Sequence, residues 1–506
     1  MNHVSGVALL AFGLILLPDS VAAEQPVPIS TSLAAAGAEV GPPADTLALP
    51  YSPEDWSTLL PVEREARDLA AMRDYRPGYP FWQHVFNIPD GSVAFGSASD
   101  GRLLATFPSR GDWTREVRWA DPTVPNVVLG RRLPHGLTQR REEVAELLEP
   151  VVGPVVHNAT RGRFLLPNAR RYGGFVEEWG RIYERFGVPA EIGLAQAVVE
   201  SGLNGRVRSE AGALGLCQWL PRNWNSLKRR APHEIEGYNQ TTQAAYCAAY
   251  LSVLATKYGS FVPALSEHHA GGSNVGRTVI NGSRLGGIDV RDQYFMGSEL
   301  ARELRNLSPR SYREVVRSYG PRSFLYAEMV FGNGPTVRGI RNGVPQQRIH
   351  AMRAPRPIPL SEVTRRTGLS VDEVRRFNPA LVRQVPTGAT LYLPFRVEEF
   401  GPDVTFWHRP PSPEYAAVLD DFLSLDAHWD EWEEPSFAPV LREFRERFLA
   451  TGSEEGSVMA TIIGYAMDEM YTSRRRQILV EFRTSPEIER LVRQGLDEIE
   501  ANGRQR

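Results

Sequence analysis

The chain has 506 residues, more than one hydrophobic core usually supports, so several domains are expected. Hydrophobic and charged fractions of 42% and 23% are ordinary globular values. A net charge of −3 excludes any global attraction to nucleic acid or acidic lipid.

The run from Val7 to Leu17 is apolar but too short to span a membrane, and small residues follow at Val21-Ala22-Ala23. This predicts a signal peptide over 1–23, cut before Glu24, and a chain exported to the periplasm. The positive charge ahead of the run is slight, only the α-amino group and His3, so an uncleaved anchor is the alternative. No later stretch is apolar enough to span, so no transmembrane segment is expected after signal cleavage. Two cysteines, Cys217 and Cys247, would meet an oxidising compartment. A disulfide and a pair of small buried hydrophobes both remain open.

Residues 24–55 read as a flexible linker, rich in Ala, Pro, Ser and Thr. Residues 56–150 read as a β-rich region. Phe81–Phe86, Ser92–Phe95 and Leu103–Phe107 look extended, broken by turn signals at Asp90-Gly91 and Asp100-Gly101. From about 138 the pattern turns helical, and a mainly helical domain is expected over 151–345. Phe175, Trp179, Ile182, Tyr183 and Phe186 form one apolar helix face that Gly187 ends. Pro189 suits the first turn of a helix running to about Glu200. Further helices are expected near 214–230, 240–258, 261–269, 290–305, 309–318 and 322–331, with loops at Gly271-Gly272 and Gly286-Gly287.

Residues 346–397 form a short βααβ unit. A helix from Leu360 stops at Gly368, Ser370–Glu373 is a capping box for a second, and Leu391-Tyr392-Leu393 reads as a strand. Residues 398–413, ending in Arg409-Pro410-Pro411-Ser412-Pro413, are expected to be a linker. Residues 414–506 are helical. Their acidic aromatic stretch, His428–Glu434, reads as a solvated face with Trp429 and Trp432 packed inward, or as a partner surface.

Glu200 falls where a helix stops, near the negative end of the helix dipole. That end favours the protonated carboxyl, as apolar burial does, and a general acid for glycoside cleavage must hold its proton near neutrality. Ser209–Pro221 then sets glycines, which allow close backbone approach, beside Gln218 and Trp219. A Gln amide both donates and accepts, which suits an N-acetyl group.

Glu200-Ser201 followed by Ser-x-x-Gly-Ala-x-Gly-Leu-x-Gln-x-x-Pro at 209–221 resembles the soluble lytic transglycosylase domain, related to goose-type lysozyme. The resemblance covers about 165–335, and the layout resembles the membrane-bound lytic transglycosylase D group. Gln243–Leu251 is similar to the family's next core helix. His268-His269-Ala270-Gly271 stands where the family usually has Tyr-Asn-Ala-Gly, and Tyr326 falls where it places a cleft tyrosine. Arg322 replaces a common Glu, and Cys217 a common Met. The resemblance implies a lysozyme-like helical domain with Glu200 as catalytic acid and base. It implies that Ser209, Gln218, His269 and Tyr326 position glycan.

Ordinary glycosidases need two carboxylates. Glu210 and Glu267 are the candidates for a second, and both read as solvated. The family needs only one. Its Glu protonates the bond between N-acetylmuramic acid and N-acetylglucosamine, then takes the proton of the sugar's own C6 hydroxyl, leaving a 1,6-anhydro end. The expected partner is thus the peptidoglycan glycan strand; no protein partner is indicated. A hydrolytic muramidase or chitinase on the same fold, and a non-catalytic wall-binding scaffold, remain alternatives. No cofactor or metal is implied, because the cysteines and histidines lack ligand spacing. The helix–Gly–helix at 361–377 looks like a DNA reader, but export argues against DNA. Asn378-Pro379-Ala380-Leu381 and Pro386–Pro394 resemble instead the second half of a LysM module, either glycan-binding or structural; Arg356-Pro357-Ile358-Pro359 replaces the usual Gly-Asp-Thr.

Overall fold

The computed structural model describes residues 59–231, 239–316 and 325–503. The expected signal peptide, the 24–55 linker and Arg322 lie outside them. The described residues are mainly helical with a small sheet.

The first element is not β but a helix, Leu59–Tyr75. Arg64, Asp68 and Met72 recur every fourth residue, and all three are buried. Asp68 accepts hydrogen bonds from Ser260 Oγ (2.7 Å), the Phe261 amide (2.6 Å) and Arg291 Nε (2.5 Å). Arg64 donates to the Leu423 carbonyl (2.5 Å). This helix therefore belongs to the main helical body. Phe81–Phe86 is also helical, a 3-10 turn followed by a helix over Trp82–Asn87. Phe81, Trp82, Val85 and Phe86 are buried at helical spacing. A six-residue apolar run is too short for periodicity to tell strand from helix.

In this N-terminal part the strands are β1 Val93–Ser97, β2 Leu103–Phe107, β3 Arg118–Trp119 and β4 Val155–Ala159. They form an antiparallel sheet in the order β3-β2-β1-β4. Asp100-Gly101 turns β1 into β2: Gly101 is left-handed (φ 74°), and Asp100 Oδ1 accepts from the Arg102 amide (3.0 Å). Phe95, Phe107 and Trp113 of the sheet region pack with Val144 and Leu148 of the helix Leu137–Val152 in a core of their own.

The main body is built around the helix Gln240–Tyr258, buried along nearly its whole length. Val176–Arg185, Phe261–Ala270 and Glu454–Met470 pack on it, and Ala190–Ser201, Val290–Leu307, Tyr326–Gly332 and Gly334–Gly343 complete the body. The helix expected from 214 starts only at Pro221. The stretch after Gly271, read as loop, holds a helix over Gly272–Arg284. Its glycines serve packing: a Cβ on Gly282 would lie 1.7 Å from the Gln293 carbonyl oxygen. Cys217 and Cys247 form a disulfide, with their Cα atoms 6.4 Å apart.

In the next unit, β5 His350–Arg353 pairs antiparallel with β8 Thr390–Leu393. Between them lie β6 Ile358–Pro359 and β7 Gln384–Val385, paired with each other, and the helices Leu360–Thr367 and Val371–Phe377. The Ser370–Glu373 capping box is present. This unit has its own small core, including Val363, Val374 and Leu391. It docks on the main body through Tyr392 Oη and Thr242 Oγ1 (2.9 Å) and through Phe377 on Phe175.

The expected linker at 398–413 is packed. Phe406 and Trp407 are buried, and Trp407 Nε1 donates to Glu178 Oε2 (3.0 Å). Its proline-rich end hides that two large aromatics precede it, with apolar surface worth about 1.5–3 kcal/mol each to bury. The helices Pro413–Leu423, Trp429–Trp432, Ala438–Ala450, Glu454–Met470, Ser473–Thr484 and Pro486–Gly503 follow. They share one hydrophobic core with the main body. Trp429 and Trp432 point inward, as does Glu433. No helix among the described residues is long and apolar enough to cross a membrane.

Candidate active site

Glu200 occupies the last turn of the helix Ala190–Ser201. Gly202 (φ 58°) and Leu203 (φ 68°) then turn the chain sharply in the left-handed region. For a leucine this is a strained conformation of the kind that collects at functional sites. Ser201 Oγ lies 3.1 Å from the Leu216 carbonyl, tying the helix end to the 209–221 loop.

That loop is shaped by its own polar groups. Ser209 Oγ accepts from the Ala213 amide (3.0 Å). Gln218 also has a left-handed backbone (φ 51°). Its amide nitrogen donates to the Val207 (3.1 Å) and Gly215 (2.9 Å) carbonyls, which uses both of its donors. A Cβ on Gly215 would lie 2.0 Å from the Gln243 amide nitrogen, so this position needs glycine twice over, for space and for its φ of 74°. Ser209 and Gln218 thus hold the loop's shape.

Tyr326 is brought to Glu200 itself, and His269 to Tyr326. Tyr326 Oη donates to Glu200 Oε1 at 2.6 Å. His269 stacks flat on Tyr326, rings 4.4 Å apart and 8° from parallel. Sequence reasoning missed His268. Its Nε2 lies 3.0 Å from the Cys217 carbonyl and 3.8 Å from Glu200 Oε1. The sequence set the two histidines side by side but carried no signal for which of them faces Glu200. Burial holds both imidazoles down, to about 4, so both are neutral at pH 7.

Burial pushes the Glu200 carboxyl up to about 7, against the Tyr326 hydrogen bond and the positive charge of Arg161. Only 5% of its side chain is exposed. A second carboxyl, Glu65, is pushed to a similar value by burial and by Glu191. It lines a cavity of about 330 Å³ with Glu191, Phe331 and Arg338. Glu191 opens the helix that Glu200 closes, nine residues and roughly 13 Å away. A poised carboxyl alone therefore does not mark the site. Glu200 is distinguished by its Tyr326 contact and by the strained turn after it. Glu210 is exposed. Glu267, expected to be solvated, is instead buried and bound to Lys257 (2.8 Å) and Arg475 (2.8 Å). Arg475 lies more than 200 residues away in sequence, so local pattern could not reveal the pair.

If Glu200 acts as a general acid, Tyr326→Phe should lower the rate it supports about tenfold and move the alkaline limb of the pH–rate profile upward. Tyr326 lowers the Glu200 pKa, so its loss lets burial raise that pKa further. A rate profile from pH 5 to 9 checks this; an unmoved limb would contradict the assignment.

No curated protein matches the chain. Residues 177–286, from the helix before Glu200 to the end of the helix Gly272–Arg284, match the family model described as the Transglycosylase SLT domain.

Proposed function

We propose that this protein is a peptidoglycan lytic transglycosylase that cleaves between N-acetylmuramic acid and N-acetylglucosamine and leaves a 1,6-anhydro end. The observation that carries the reading is one buried carboxyl, Glu200, within the matched residues 177–286, poised at about 7 and bonded by Tyr326 from beyond them. The two carboxyls that the sequence offers as a second catalytic group do not serve: Glu210 is exposed, and Glu267 is tied to Lys257 and Arg475. A hydrolase of either stereochemistry would use two.

In this reading Glu200 gives its proton to the glycosidic oxygen, and the C1–O bond breaks with help from the 2-acetamido group. The carboxylate then accepts the C6 hydroxyl proton as that oxygen closes on C1. No water is consumed, and Glu200 ends protonated as it began. Tyr326 steadies the carboxylate between the two steps, and His269 holds Tyr326 flat. Ser209 and Gln218 keep the loop that receives glycan. The βααβ unit is proposed as LysM-like; its buried contacts to Thr242 and Phe175 favour a structural role beside any glycan contact. Export to the periplasm by residues 1–23 completes the proposal.

Mass spectrometry of muropeptides released from purified peptidoglycan by residues 24–506 tests it. Fragments one water lighter than hydrolysis products are expected. Reducing-end fragments would make the protein a hydrolase. Binding without release, where a known muramidase works, would make it a scaffold.

A further inference from the structure

The C-terminal helices reach the site through buried charge. Glu267 Oε1 accepts from Arg475 Nη2 (2.8 Å); Glu267 Oε2 accepts from Lys257 Nζ (2.8 Å) and Tyr258 Oη (2.6 Å). Glu433 bonds to both Lys257 and Arg475. The four charged side chains are at most 8% exposed, and two cations balance two anions. Arg475 and Glu433 come from the C-terminal region, beyond the matched residues 177–286. Lys257 and Glu267 come from the main body.

Glu267 directly precedes His268. A carbonyl only accepts, so the contact with Cys217 puts the proton on His268 Nε2 and leaves Nδ1 bare. Arg475 arrives over the corner that follows: a Cβ on Gly272 would lie 1.9 Å from its Nη2. A second contact runs in parallel. Tyr465 packs against Trp219 (6.0 Å) and Tyr250 (5.5 Å), and Tyr250 lies 6.1 Å from His268.

We infer that Arg475 and Glu433 are positioning residues for Glu200, acting through Glu267 and the His268 beside it; this rests on the transglycosylase reading above. A buried ion network adds little stability over apolar packing of the same volume, and its best-attested use is to fix register. Here the register fixed is that of a helix end. Glu267 with three donors around it cannot rotate. The next residue then holds its imidazole against the catalytic carboxyl and keeps water from it. Displacement of a catalytic group by about 1 Å can reduce rate by roughly 10²-fold.

The test is the charge-balanced variant Arg475→Met/Glu433→Gln, which leaves Lys257 paired with Glu267. It should keep its circular dichroism spectrum and the KM for peptidoglycan, and lose about tenfold in kcat. Its His268 ¹⁵N signals should leave the Nε2–H pattern. Its Glu200 ¹³C carboxyl titration should fall by about one pH unit as water enters. Arg475→Lys, which keeps the charge but not the fixed direction of the guanidinium Nη2 that serves both carboxylates, should lie between variant and wild type. Wild-type kcat, His268 signals and Glu200 midpoint in either folded variant would overturn the inference. Should the double variant not fold, Arg475→Lys decides by the same three readouts. Should the wild-type protein release no anhydro product, the function reading falls, while the His268 and Glu200 signals still decide whether the C-terminal helices position the site.

Discussion

Glu200→Gln should abolish glycan release, lowering the rate by about 10³-fold or more, and should make the protein more stable above pH 7. General acid–base catalysis by one group is worth roughly 10²–10⁴-fold, and in the proposed mechanism the same group serves both steps. The Gln oxygen still accepts the Tyr326 hydrogen bond, so the site keeps its shape while losing its proton. The stability change follows from linkage. The carboxyl moves from an ordinary 4.5 to about 7 on folding, mainly through burial. Between those values the native state holds a proton that the unfolded chain has released. This contribution is complete below about pH 4.5 and is lost as pH rises through 7. A gap of about 2.5 units corresponds to roughly 3 kcal/mol, which Gln, never ionised, does not forfeit.

Melting curves at pH 4 and pH 8 check the second half. Wild type and variant should coincide at pH 4, and the variant should melt higher at pH 8. The combination separates a catalytic carboxylate from a structural one. Glu267 makes the contrast: Arg475 and Lys257 hold its carboxyl low despite burial, so its replacement should destabilise at neutral pH. A Glu200 variant that loses activity and also stability at pH 8 would have a structural Glu200.

The candidate site was legible in the sequence where its signal is local. Glu200 at a helix stop and the 209–221 pattern needed no tertiary knowledge, and the helix read at 240–258 ends at the residue expected. Roles within the pattern were harder. Gln218 reads as a ligand contact because an amide donates and accepts; in the structure its two donors bond Val207 and Gly215. His268 was passed over for His269, because only the fold shows which imidazole faces Glu200 and which faces Tyr326. Reading glycine as punctuation hid the helix Gly272–Arg284, whose glycines admit Arg475 and the Gln293 backbone. The sheet hairpin was legible through Asp100-Gly101, but the helix Leu59–Tyr75 was not. Its buried face carries Arg64 and Asp68, which no hydrophobic pattern would place inside.

Those buried charges carry the second large prediction. Asp68→Ala should destabilise the protein by about 3–5 kcal/mol, measured as a lowered urea midpoint with an unchanged slope. Three donors converge on this carboxylate, and Ala would leave them facing an apolar cavity. The Phe261 amide is the first of the helix Phe261–Ala270, whose N-cap Ser260 also bonds Asp68, so the start of that helix loses two partners at once. Arg291, only 8% exposed, would keep Gly259 and Asp289 but lose its buried counter-charge. Asp68→Asn retains an acceptor for Ser260 and Phe261 and should lose less than half as much. Asp68→Leu/Arg291→Met should lose less than the two single substitutions added together, because an unpaired buried charge is costlier than none. A loss under about 1 kcal/mol for Asp68→Ala would return Leu59–Tyr75 to the status of a separate N-terminal region. The expected loss instead makes it the anchor at one end of the helix that carries Glu267, His268 and His269 at its other end, one helix fixed at its start by the N-terminal region and at its finish by the C-terminal one.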